Sequence, residues 1–158
     1  MSHILLASGS PRRQELLRRI GITDFTVTVP DADESYPDGL TPQEIVQYIS
    51  RKKSLAVSAQ PDDIVITADT MVFLDEMKLG KPRDEAHALQ MLTALQGRKH
   101  TVCTGVTVRQ GEKTLTCAQS TDVYFRPADR AELLAYIAAA SPWTRPAPMA
   151  CRTRGRCW

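Results

Sequence analysis

Residues 63–74 read DIVITADTMVFL, a run rich in β-branched side chains and nearly continuous in apolar character, interrupted only by Thr67, Asp69 and Thr70. This is the pattern of a strand buried on both faces, since neither side alternates with water-loving residues. Such a strand needs packed layers above and below it. The chain is therefore expected to be an α/β structure with this segment near the centre.

The surrounding segments supply those layers. Residues 3–7 form a short apolar run that ends in SGSPRR, and beyond Pro11 the residues Leu16, Leu17 and Ile20 have helical spacing. Ser10 stands at the N-cap position, Pro11 at the first helical position, and Gly21 closes the helix. Residues 25–29 alternate like a short strand, and the polar PDADESYPDG that follows is loop. Thr41 opens a second helix, PQEIVQYISRKKSLAV, in which Glu44 completes a capping box and Ile45, Tyr48, Ile49 and Leu55 lie near one face. After the long strand, DEMK is expected to turn a hairpin into LGKP, and Asp84 starts a third helix that Gly97 ends. Residues 101–109 and 114–125 read as two long strands joined at Gln-Gly-Glu, and residues 127–139 as a fourth helix whose buried face is Leu133, Leu134 and Ile137 with Tyr136. Helices between strands, followed by an antiparallel pair, predict a mixed sheet flanked by helices, with polar loops lining a central cleft.

With 158 residues, 42% hydrophobic and 24% charged, the chain suits a single domain around one core. No stretch approaches the roughly 20 uninterrupted apolar residues of a membrane span, and the apolar run at the N-terminus is too short for a secretory signal. A cytoplasmic protein with no membrane partner is expected. The net charge of +2 hides an asymmetry, because Arg145, Arg152, Arg154 and Arg156 follow Ala140 with no acidic residue among them. Setting those four aside leaves 16 basic against 18 acidic residues, a balance of −2, so the charge gives no reason to expect a nucleic-acid partner. Cys103, Cys117, Cys151 and Cys157 show no zinc-binding spacing, and His3, His87 and His100 are too scattered for a triad.

Three groups of residues could carry chemistry. At Ser8 to Arg13 a strand ends in a Ser and Gly turn, and a helix begins with Arg12 and Arg13. Free N–H groups at a helix start and guanidinium donors favour a phosphate, although the P-loop pattern is missing and two surface arginines would read the same way. Asp69, with Thr70, sits in a run that should be buried, where a carboxylate is costly unless it meets a cation, a metal or a water. An Asp bonded to nearby backbone at a strand end is the plainer alternative. Asp31, Asp33 and Glu34, with Lys52, Lys53 and Lys81, supply the cations and carboxylates that triphosphate hydrolysis requires, though charged loops are most often only solvated.

These segments together resemble the Maf family of nucleoside triphosphate pyrophosphatases. LLASGSPRRQELL is similar to its opening signature, VPDADE to its acidic loop and RKKSLAV to its second helix, and ADTMV, LGKP and GRKHTVCTGV follow in the family's order. The resemblance covers residues 3 to about 140. It implies a Maf/ITPase-like fold and a metal-dependent hydrolase, using Mg²⁺ or Mn²⁺, that cleaves a nucleoside triphosphate between its α and β phosphates and releases pyrophosphate. It further implies that Asp69 is the proton acceptor or metal-linked carboxylate and that Glu34 helps hold the metal. Ser8, Arg13, Lys53 and Lys81 would bind the triphosphate. Arg12 and Thr70 match specificity positions of the dTTP and UTP branch, and a homodimer is a family expectation.

From Ser141 the sequence departs. Where the family has a motif of the form EPMDKAGAYGIQG, this chain reads SPWTRPAPMACRTRGRCW, without strand or helix periodicity. Codons chosen for SPWTRPAPMACR, regrouped one base earlier, translate as EPMDKAGAYGVQ, which points to a lost or gained base near residues 138–140. Residues 1–140 are thus expected to be an incomplete Maf-like domain, its C-terminal part missing, and residues 141–158 an out-of-frame, disordered tail. Two other readings compete with the enzyme: an inactive remnant or nucleotide-binding division-arrest regulator, and a basic nucleic-acid binder resting only on the tail.

Overall fold

The computed structural model describes residues 2–75 and 77–139. The expectations for the stretch from Ser141 lie outside these residues. The described elements run β1 (Ile4–Ala7), α1 (Pro11–Arg19), β2 (Thr26–Thr28), α2 (Pro42–Leu55), β3 (Ile64–Leu74), β4 (Met77–Leu79), α3 (Glu85–Leu95), β5 (Lys99–Gln110), β6 (Lys113–Tyr124) and α4 (Arg130–Ala139).

The strands form one mixed sheet in the order β2-β1-β3-β5-β6, with β4 paired to β3 off that path. β1 runs parallel to both β2 and β3, with Leu5 opposite Thr26 on one side and Val65 on the other. β4 turns back antiparallel on β3, Leu74 facing Met77, so Met77 and Lys78 belong to a strand and not to the turn expected at DEMK. Gly111, at φ 55°, turns β5 into β6. The side-chain bonds Thr101 to Asp122, Cys103 to Ser120 and Thr107 to Thr116 then step in opposite directions along the two strands, as an antiparallel pair requires.

By packing, the described residues divide into two compact units, 2–70 with Thr104–Gln119 and Met71–Cys103 with 120–139. In the first, Ala7, Val57 and Val65 form a buried cluster, and Val46 and Ile49 of α2 are wholly buried. In the second, α3 packs on α4 through Ala88, Leu92, Leu133 and Ile137. Each large apolar side chain so buried is worth about 1.5–3 kcal/mol.

Local chemistry explains the helix starts. Pro11 occupies the first turn of α1 and Ser10 has the extended backbone of an N-cap, but its side chain makes no capping bond; its carbonyl instead accepts from Arg13 and Gln14. Thr41 and Glu44 form the full capping box of α2, with Thr41 N–H donating to Glu44 Oε2 at 2.8 Å. α4 starts three residues later than expected from the sequence, after Asp129, whose carboxylate accepts from the Glu132 N–H at 2.8 Å.

Two buried faces differ from expectation. Tyr48 is 41% and Leu55 69% exposed, whereas Val46, Ser50 and Ser54 join Ile45 and Ile49 on the buried side of α2. The helix is rolled toward small residues because it meets the sheet at close range over Gly105. In α4, Leu133 and Ile137 are buried, Tyr136 packs beside them, and Leu134 is 46% exposed because it projects off the α3 contact.

Candidate active site

The carboxylate that the sequence places inside an apolar strand is buried. Asp69, on β3, is 6% exposed, and its Oδ1 accepts a hydrogen bond from Lys53 Nζ of α2 at 2.8 Å. The same Nζ stands 2.8 Å from Glu34 Oε1, in the loop between β2 and α2. One ammonium thus joins two carboxylates, one buried and one mostly exposed. Asp69 Oδ2 is buried and has no hydrogen-bond partner.

Arg13 reaches across from the first turn of α1 to the same stretch of β3. Its Nη1 donates to Ser8 Oγ at 3.0 Å and to the Ala68 carbonyl at 2.8 Å, and its Nη2 to Thr70 Oγ1 at 3.3 Å. The guanidinium therefore grips the residues on either side of Asp69. These contacts use three of its five N–H groups. Thr70 Oγ1 also lies 3.0 Å from Thr104 Oγ1 on the neighbouring β5. Ser8 is buried at the end of β1, where its hydroxyl also accepts from the Ser10 N–H.

The charges are set by these contacts. Burial works against the Lys53 ammonium, but hydrogen bonds and attraction from Asp69 and Glu34 outweigh it and raise its pKa above the ordinary value. Arg13 goes the other way: burial lowers its pKa, and attraction to Asp69 and Glu34 only partly offsets the shift. In the exposed loop, Lys52 Nζ holds Asp33 Oδ2 at 2.7 Å and the Ser35 carbonyl at 3.0 Å. With the Ser35 hydroxyl and N–H, this pushes the Asp33 carboxyl well below the usual carboxylate range.

The fold thus brings Ser8, Arg13, Glu34, Lys53, Asp69 and Thr70 together in the first unit. Asp31 is exposed in the acidic loop, and Arg12 is exposed on the first turn of α1. Lys81 is exposed beyond β4 and belongs to the second unit. Thr104 and the Ala68 carbonyl escaped the sequence reading. A backbone acceptor carries no residue signature, and a threonine in a strand looks like any other β-former.

Among the described residues no group of three or more His, Cys, Asp and Glu could hold a metal ion by itself. Asp69 with Glu34 offers two carboxylates, and the unpaired Oδ2 is the kind of hard oxygen donor that Mg²⁺ or Mn²⁺ takes. Mg²⁺ commonly binds through one or two carboxylates plus substrate phosphates, so the donors present fit it.

The model of the family described as Maf-like protein matches residues 3–154. The chain belongs to the Maf-like family. This Maf-like chain is 43% identical over 143 residues to the dTTP/UTP pyrophosphatase of Symbiobacterium thermophilum, covering 90% of this chain and 73% of that one. It is 44% identical over 142 residues to the dTTP/UTP pyrophosphatase of Exiguobacterium sibiricum, covering 90% and 72%. The Maf-like fold is also similar to that of a HAM1 protein from Coxiella burnetii, with a TM-score of 0.51 over 78% of this chain and 73% of that one. At 14% identity that likeness is one of fold alone. Among the described residues no helix is long and apolar enough to cross a membrane.

Proposed function

We propose that this chain is a nucleoside triphosphate pyrophosphatase acting on dTTP and UTP, in the cytoplasm, that hydrolyses the bond between the α and β phosphates to give the monophosphate and pyrophosphate. The observation that carries the reading is the buried Asp69 carboxylate, with one oxygen held by Lys53 and the other unpaired. Support comes from relatives at 43% and 44% identity that are dTTP/UTP pyrophosphatases.

In this reading Lys53 fixes Oδ1, and Oδ2 receives a proton from the attacking water. The water oxygen bonds to the α-phosphorus while the bond from that phosphorus to its bridging oxygen breaks, and the electron pair leaves on pyrophosphate. Asp69 then returns the proton to solvent. Ser8, Lys53 and the two remaining N–H groups of Arg13 bind phosphoryl oxygens, and the positive charge of Lys53 and Arg13 offsets the charge that accumulates in the transition state. A divalent cation, which Glu34 and the substrate phosphates would hold, would supply further neutralisation of phosphoryl charge. Arg12 and Thr70 face the task of choosing the base.

The test is phosphate analysis of the chain incubated with each common nucleoside triphosphate in Mg²⁺ or Mn²⁺. Release of pyrophosphate, fastest from dTTP and UTP, is expected. Release of orthophosphate, or equal rates on purine nucleotides, would contradict the reading.

A further inference from the structure

We propose that a buried line of hydroxyl groups between α2 and the sheet, centred on Thr107, is a positioning device for Lys53. The proposal deepens, and rests on, the role given above to the Lys53 and Asp69 pair.

A helix usually meets a sheet through apolar side chains, which tolerate sliding. Here Ser50 and Ser54 of α2 and Thr67 and Thr107 of the sheet are all wholly buried. Ser50 Oγ donates its only proton to the Gln47 carbonyl at 3.0 Å, so in its 2.8 Å contact with Thr107 it is the acceptor and Thr107 Oγ1 the donor. That spends the Thr107 proton, and Thr116 Oγ1 therefore donates to Thr107 at 3.1 Å. On the other side, Thr67 Oγ1 donates to the Ser50 carbonyl at 2.7 Å. The line has one direction, from β6 through β5 to α2.

Two further contacts fix the helix along its length. A Cβ on Gly105 would stand 2.3 Å from the Val46 carbonyl oxygen, so the α2 backbone rests directly on β5. At the far end of α2, Arg109 Nη2 donates to the carbonyls of Ser54 and Val57, each at 2.9 Å.

Lys53 follows Ser50 by three residues on the helix, and Asp69 follows Thr67 by two on the strand. Those spacings keep each pair on one face, so the contact of Thr67 with Ser50 lies one step before that of Asp69 with Lys53 on both elements. The hydroxyl line sets the separation at which Lys53 Nζ meets Asp69 and Glu34. Thr107 acts through α2, not on the substrate.

Acylation of lysines by an amine-reactive reagent, read site by site with mass spectrometry, follows Lys53 without depending on turnover. Lys53, held by two carboxylates, is expected to react slowly, and Lys113, exposed on β6, serves as reference. Thr107→Val keeps the shape and removes the hydroxyl; Lys53 should then react about tenfold faster relative to Lys113, and kcat for dTTP should fall about tenfold with KM changed less than about twofold. Thr107→Ser should restore both. Ser50→Ala, which favours the helix, should reproduce the Thr107→Val result and stands in if that variant does not fold. Unchanged Lys53 reactivity in folded Thr107→Val or Ser50→Ala, or a Thr107→Ser variant no different from Thr107→Val, overturns the proposal. If the unsubstituted chain releases no pyrophosphate while Lys53 reactivity shifts as stated, positioning of Lys53 stands and the pyrophosphatase reading fails.

Discussion

Lys53 and Asp69 meet at 2.8 Å from two different elements, and the contact satisfies only one oxygen of the carboxylate. A buried acceptor without a partner costs about 1–3 kcal/mol, a cost that water, metal or substrate at Oδ2 would remove. Asp69→Asn should therefore leave nucleotide binding within about threefold while lowering kcat by about a thousandfold or more, since the variant has no base to accept the proton of the attacking water. Calorimetric binding beside steady-state kinetics checks this. A loss of binding equal to the loss of turnover would show that the carboxylate binds substrate and does not activate water.

Removing the other partner has a different consequence. Lys53→Met leaves the Asp69 carboxylate buried with neither oxygen paired, and breaking a buried pair in this way typically costs about 3–5 kcal/mol. The double variant Lys53→Met with Asp69→Asn should recover much of that loss, because no buried charge is left. Urea unfolding of the set reads the coupling directly.

Gly105→Ala should destabilise the chain by about 1–3 kcal/mol, because the new methyl falls on the Val46 backbone and not on a side chain that can swing away. Equal urea midpoints for the variant and its parent would mean that α2 does not rest on β5 as described.

Acid should release the loop that carries Glu34. Asp33 has its pKa depressed by Lys52 and Ser35, so its contribution to stability is present above its ordinary value of 3.8 and is lost as pH falls through the lower folded value. Lys53 has its pKa raised, so its contribution is present below its ordinary 10.5 and is lost as pH rises past the folded value. Thermal unfolding should show the parent more stable than Asp33→Asn near neutrality, with the two curves converging in strong acid.

Much of this was legible in the residues, for physical reasons. The β-branched run around Val65 and Phe73 announced the central strand, Thr41 with Glu44 announced a helix start, and Asp69 stood out because a carboxylate among apolar neighbours needs a partner. The rolled face of α2 was not legible. An apolar pattern assigns Tyr48 and Leu55 to the core, whereas the seam is built from Ser50 and Ser54, whose burial depends on hydroxyl partners on β3 and β5 far away in sequence. The grip of Arg13 on the Ala68 carbonyl was equally hidden.

The most direct test of the central claim is phosphorus NMR of dTTP and Mg²⁺ incubated in ¹⁸O-labelled water with the chain and with its Asp69→Asn variant. The account predicts dTMP carrying the label and unlabelled pyrophosphate from the unsubstituted chain, and unreacted dTTP from the variant. Label in pyrophosphate or orthophosphate, or equal turnover by the variant, would contradict attack at the α-phosphorus with Asp69 as the base.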